Sequence, residues 1–282
     1  MIDLHTHTTY SDGTWSVDEL LTEAQAKNIQ ILSITDHNTI AAHLELEKKE
    51  NILFKGKIIP GCECDGLFQG AKIELLGYNF DIKKIKEWMD KIYHEDHYKP
   101  DLDKEFKLLI EGCKRNNIKI DHIDYHPSLG WPIDTIYPEI KRHPENRQYF
   151  TEEQWNDAHH FFRCCSCDPN FLLYLDFSDL IPPANVVSNA IREANGKVFL
   201  AHLFTYPMDD YEKFLDKLRE EKLIDGIEVY YPTFTADQTT FLEEYCDRYQ
   251  LLKSVGSDSH GEKPPIRVPG EISIDFKEIN WL

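Results

Sequence analysis

Nine side chains of this 282-residue chain combine types and positions suited to holding divalent metal ions. His5 and His7 stand two apart after the apolar start Ile2-Asp3-Leu4, so on a strand both project to one side. Asp12 follows in a Ser-Asp-Gly turn, and His37 closes the stretch that begins at Ile31. Glu63 ends a strand-like run from Lys57, and Glu74 lies in the next, Ile73 to Phe80. His202 ends Val198 to His202, while Asp258 and His260, again two apart, follow Leu252 to Ser257. Imidazole with carboxylate is the donor set of zinc, manganese or iron. Nine donors exceed the needs of one ion, so the pattern calls for two or three ions sharing a bridging carboxylate. A lone His-x-His pair or Asp-Ser-His turn is ordinary. Recurrence at the same end of successive strands carries the reading.

The elements that must position these residues alternate. Ile2 to His7 reads as a strand, and Ser16 with Glu19 forms a capping box opening a helix to about Asn28. Ile31 to Thr35 follows as a buried-type strand, a βαβ opening that favours a parallel sheet. Lys57 to Glu63 and Ile73 to Phe80 continue it. After a segment with a different rhythm come a helix over Val186 to Asn195, a strand to His202, a helix over Asp209 to Glu221, strand Gly226 to Tyr231, helix Ala236 to Tyr249 and the strand ending at Ser257. The expected fold is α/β, a distorted seven-stranded TIM-like barrel whose strand ends gather the site. Its parts are residues 1–84 and 186–282. Residues 85–185 read as an inserted, mainly helical cap, punctuated by His126-Pro127, Trp131-Pro132, His143-Pro144 and Ile181-Pro182-Pro183.

Composition narrows the function classes. With 31 basic and 50 acidic residues the net charge is −19, which argues against sequence-independent binding of duplex nucleic acid. A small phosphate ester remains possible, because bound ions reverse the charge locally. No apolar run approaches the length of a membrane span, about 18 residues. The seven cysteines read as reduced thiols, with Cys62 and Cys64 facing away from Glu63. No basic or apolar leader precedes His5, and together these features point to the cytoplasm.

The motifs His5-Thr-His7, Ser11-Asp12-Gly13, Thr35-Asp36-His37, Gly61-Cys-Glu63, Ala201-His202 and Gly256-Ser-Asp258-Ser-His260-Gly, with Ile227 to Pro232, resemble in order those of the PHP (polymerase and histidinol phosphatase) domain. They are most similar to its stand-alone phosphoesterases, which include nucleoside 3′,5′-bisphosphate phosphatases and short-RNA 5′ exonucleases. The resemblance implies a trinuclear centre. One ion would take His5, His7, Glu63 and Asp258, and a second Asp12, His37 and His260. A third would take Glu63, His202 and position 74, where the family pattern has His and this chain has Glu74. It also implies a hydrolase that attacks phosphate monoesters of small metabolites, nucleotides or short oligonucleotide ends with a hydroxide held between metal ions. Histidinol-phosphate hydrolysis is the enzymatic alternative, and a metal-binding PHP scaffold the non-enzymatic one. Arg142, Arg147 and Arg163 in the insert are candidates for a further phosphate, since Arg forks onto phosphate oxygens. Glu228, on the penultimate strand, is a candidate supporting residue.

Overall fold

The computed structural model describes residues 1–95, 98, 101–272, 274 and 279–282. Seven strands form one sheet in chain order: β1 (Ile2–Asp3), β2 (Ile31–Ile34), β3 (Lys57–Phe68), β4 (Ala71–Tyr78), β5 (Lys197–Leu200), β6 (Gly226–Tyr230) and β7 (Leu252–Val255). Every strand-like stretch of the sequence becomes a strand, with ends shifted by a few residues. β1 to β3 are mutually parallel, as are β5 to β7. The two ends of the series also meet: Leu4 N donates to Val255 O at 3.0 Å, Asp258 N to His5 O at 2.8 Å and His7 N to Ser259 O at 2.9 Å.

One strand departs from the parallel expectation. β4 runs antiparallel to both neighbours. Its link to β3 is only Gln69 and Gly70, at φ of 52° and 85°. Two residues with positive φ make a tight hairpin turn, whereas a parallel pair needs a crossover of a dozen residues or more. Glu74 therefore reaches the site from mid-strand, opposite Asp65, and not from a strand's C-terminal end. β3 likewise continues past Glu63 to Phe68. Along β3 the side chains alternate: Cys62 and Cys64 are fully buried in the main apolar cluster, while Glu63 takes the other face. All seven cysteines are free and buried.

Helices cover the sheet. The capping box of α1 (Val17–Ala26) forms as the sequence requires, and α10 (Ala236–Tyr249) has its own from Thr235 and Gln238. A short α2 (Ala41–Leu46), too brief for a periodic signal, lies between β2 and β3. α3 (Ile82–Asp90) turns Ile85 and Met89 into the main core. Between β4 and β5, α4 (Leu102–Arg115), α5 (Pro132–Arg142), α6 (Glu152–Asn156) and α7 (Ala158–Cys167) precede α8 (Ala184–Glu193), and α9 (Tyr211–Glu220) follows β5. Residues between Leu109 and Ile181 build a second apolar cluster around Ile136, Ile140, Phe161 and Cys165. α7 lies against β4, where Cys167 Sγ donates to Lys72 O at 3.1 Å. No helix among the described residues is long and apolar enough to cross a membrane.

The meeting of the first and last strands depends on Gly256. A Cβ there would lie 2.1 Å from His5 Cβ and 3.0 Å from His5 Cα. Gly256→Ala should therefore destabilise the fold by about 1–3 kcal/mol, the range for overpacking a tight interior. Chemical denaturation checks this, and an unchanged midpoint would refute the close approach.

Candidate metal centre

The structure brings all nine donor residues together at one end of the sheet. Around His5 and His7, the two Nε2 atoms are 3.1 Å apart. Glu63 Oε2 lies 3.2 Å from His5 Nε2 and 3.3 Å from His7 Nε2, and Asp258 Oδ1 lies 3.4 and 3.1 Å from the same atoms. Beside them, Asp12 Oδ1 lies 3.1 Å from His260 Nε2, 3.8 Å from His37 Nε2 and 3.9 Å from His7 Nδ1. Third, His202 Nε2 is 3.0 Å from Glu63 Oε1 and 3.4 Å from Glu74 Oε2. In each group one ligand atom per residue falls within 4.8 Å of the others, and His7 belongs to two groups.

Two strand-end residues reach the site from the left-handed backbone region, His202 at φ 26° and Asp258 at φ 53°. Such conformations are costly for side chains with a Cβ and cluster at functional sites. The far ring nitrogens are anchored. His5 Nδ1 meets Glu228 Oε1 at 2.9 Å, His202 Nδ1 meets Thr205 Oγ1 at 3.1 Å, and His260 Nδ1 meets Asp258 O at 2.9 Å. Each contact turns the corresponding Nε2 toward the centre, the arrangement that orients metal-binding histidines. Glu228 acts twice, because its Oε2 also accepts the His202 backbone N–H at 2.8 Å.

The donor set fits divalent ions. Two Nε2 atoms at 3.1 Å cannot both point protons at each other, and Asp12 Oδ1 is buried without a hydrogen bond. A cation between the lone pairs resolves both. The electrostatics agree. Burial opposes protonation of His5 and His7, but Glu63, Asp258 and, for His5, Glu228 outweigh it, holding His5 well above its usual range and His7 at about 10. Burial likewise opposes the ionised carboxylates, yet the surrounding imidazoles keep Glu63, Asp258 and Asp12 below the usual carboxylate range.

The candidate arginines divide. Arg142 pairs with Glu139 at 2.8 Å, and Arg147 with Glu152 and with Phe150 O at 2.5 Å, so the ion pairs of both lie within the insert. Arg163 does reach the cluster, 2.7 Å from Glu74 Oε2. Three further cations escaped sequence reasoning. Lys263 Nζ lies 2.8 Å from Asp12 Oδ2, Arg267 pairs with Asp258 Oδ2, and Lys72 Nζ is 3.0 Å from Asp65 Oδ1. Lys263 and Arg267 follow Gly261 in a Pro-rich segment that lacks periodicity; the only signal was its adjacency to His260. Lys72 stands two residues before Glu74 and so shares its face, which the strand period could have revealed.

Two outcomes follow from this geometry. Glu228→Gln removes the anion behind His5 but keeps its shape, so affinity for Mn²⁺ should fall about 10–100-fold; calorimetric titration checks it. In chelator, the raised His5 and His7 values stabilise the fold fully below pH 6.5, and this contribution is lost as pH rises toward about 10. The melting temperature of chelated protein should drop across that window, and Mn²⁺ should restore it because ions require deprotonated imidazoles. A flat or rising profile in chelator would contradict the charge pattern.

A model of the PHP domain family matches residues 3–142 of the chain. A 5′-3′ exoribonuclease of Haemophilus influenzae is 27% identical over 274 residues, covering 92% of this chain and 89% of that protein. Among solved structures, the fold is similar to a candidate metal-dependent phosphoesterase of Bifidobacterium adolescentis, with a TM-score of 0.62 and 21% identity over 99% of this chain and 94% of that one. An amidohydrolase of Chromobacterium violaceum is similar at a TM-score of 0.62 and 19% identity, covering 94% and 89% of the two chains. The order of motifs along the strands, the convergence of their donors and this family match agree, and the chain belongs to the PHP domain family as a metal-dependent phosphoesterase, a hydrolase of phosphoester bonds.

Proposed function

We propose that the chain hydrolyses phosphoesters at the ends of nucleotides or short oligonucleotides, using ions held by His5, His7, Glu63 and Asp258 and by Asp12, His37 and His260. The observation that carries this reading is the cation ring on an acidic protein. A chain of net charge −19 sets Lys263, Arg267, Arg163 and Lys72 against the carboxylates of one cluster. Such focusing attracts a phosphoryl group against the overall field. Divalent ions, when bound, supply Lewis acidity toward that group.

The chain's own residues then have distinct tasks. Lys263 and Arg267, from the segment after β7, hold the outer oxygens of Asp12 and Asp258 and so orient the inner ones. Tyr231 Oη donates to Asp258 Oδ2 at 2.8 Å and fixes the same carboxylate. Substrate selection falls to the insert, residues 85–185, which sends Arg163 to the cluster. The Haemophilus relative named a 5′-3′ exoribonuclease supports nucleotide ends as the substrate class.

The test is product release with Mn²⁺ and after chelation, from an aryl phosphate, adenosine 3′,5′-bisphosphate, a 5′-phosphorylated dinucleotide and histidinol phosphate. Chelator-sensitive activity preferring the two nucleotides is expected, and preference for histidinol phosphate would overturn the substrate class. Asp258→Ala should reduce kcat/KM by about a thousandfold, the loss of several kcal/mol of Lewis-acid stabilisation. Near-native turnover in that variant would remove Asp258 from the centre.

A further inference from the structure

The three donor groups differ in which carboxylate oxygen their neighbouring cation takes. Lys263 and Arg267 occupy Oδ2 of Asp12 and Asp258, and leave Oδ1 facing the imidazoles. In the third group the order is reversed. Arg163 Nη2 lies 2.7 Å from Glu74 Oε2, the oxygen that faces His202 Nε2 at 3.4 Å. Lys72 Nζ stands 3.8 Å from the other oxygen. The guanidinium is thus seated on the atom through which Glu74 would bind an ion.

Burial reinforces the point. Arg163 is only 6% exposed and lies over the Tyr206 ring at 5.2 Å. Its charge is held in place by buried Glu74, and the partly buried Lys72 and Asp65 continue the alternation of sign along one face of the β3–β4 hairpin. A divalent ion added there would face two cations without water to screen them. Yet Arg163 is not fully paired: its Nε and Nη1 are buried and make no hydrogen bond within the protein. Unpaired donors on a buried guanidinium are costly and call for an acceptor from outside the chain. A phosphoryl oxygen is such an acceptor.

We infer that Arg163 is the third cation of this centre: two ions serve the first two groups, and the guanidinium takes the third ion's place and donates to a phosphoryl oxygen from an unpaired N–H, at Nε or Nη1. The inference rests on the phosphoesterase function in naming a phosphoryl ligand, whereas the count of ions is independent of it. Glu74 is then a positioning residue that holds Arg163, in place of an ion ligand.

Elemental analysis after equilibration with excess Mn²⁺ and gel filtration reads the count, and competition calorimetry with inorganic phosphate on Mn²⁺-loaded protein reads the contact. Wild type should hold two ions per chain. Arg163→Met should admit a third and bind phosphate about tenfold or more weakly, as expected for losing a charged hydrogen bond. Arg163→Lys keeps the charge without the guanidinium N–H groups, so it should stay at two ions and still lose phosphate affinity; it serves should the Met variant not fold. Three ions in wild type, or no third ion in Arg163→Met, overturns the replacement. Phosphate affinity unchanged in both variants overturns the contact. A wild type with two ions and no hydrolysis of any phosphoester would refute the activity and leave the replacement standing.

Discussion

One buried carboxylate organises this molecule. Glu63 is fully shielded from solvent, and its two oxygens lie between 3.0 and 3.3 Å from nitrogens of His5, His7, His37 and His202. An isolated charge in such a place is prohibitively costly, so it persists only where partners are brought to it with good geometry. Those partners come from the ends of β1, β2 and β5, elements distant in the chain. The sheet order, the meeting of its first and last strands and the left-handed turns at His202 and Asp258 all serve that convergence.

Charge balance is solved locally. The protein is strongly acidic, but its site is a mosaic of alternating sign, with imidazoles and carboxylates inside and four cationic side chains at their outer or flanking oxygens. Each cation limits the repulsion among carboxylates; Lys263 and Arg267 also fix which oxygen of Asp12 and Asp258 faces inward, whereas Arg163 takes the inward oxygen of Glu74. Glu228 plays the complementary part behind the histidines, touching His5 through one oxygen and the His202 backbone through the other. The centre is thus held from behind by residues that carry no ligand atom of their own.

The hairpin between β3 and β4 gives this chain its individuality. By reversing β4, a two-residue turn sets Glu74 and Lys72 on the same face as Glu63 and Asp65, next to α7 of the insert. The segment that builds the second apolar cluster therefore reaches the site at that point through Arg163. The buried Arg163–Glu74 pair, which couples α7 to β4, makes the third donor group unlike the other two.

Much of the site was legible in the sequence, because its signal is local. Histidines two apart on a strand must share a face, and Asp12, His37, Glu63, His202, Asp258 and His260 each sit beside a strand whose apolar run marks it. Seven strands and the capped helices α1 and α10 follow from the same short-range periodicity and capping chemistry. The family match then agrees with the order of these motifs. What sequence left open is decided by contacts between segments far apart in the chain. The direction of β4 turns on two residues whose positive φ shows only in the folded backbone, and that direction sets where Glu74 stands. Arg142, Arg147 and Arg163 looked equivalent along the chain; helix packing alone sent one to the cluster and left two in local ion pairs. Lys263 and Arg267 carry no periodic mark at all, since their place depends on how an irregular segment folds back over Asp12 and Asp258. Residue type and spacing determined which chemistry this protein performs, because strand geometry is short-range. The tertiary structure decided which charges complete it, because electrostatic partners are chosen by proximity in space.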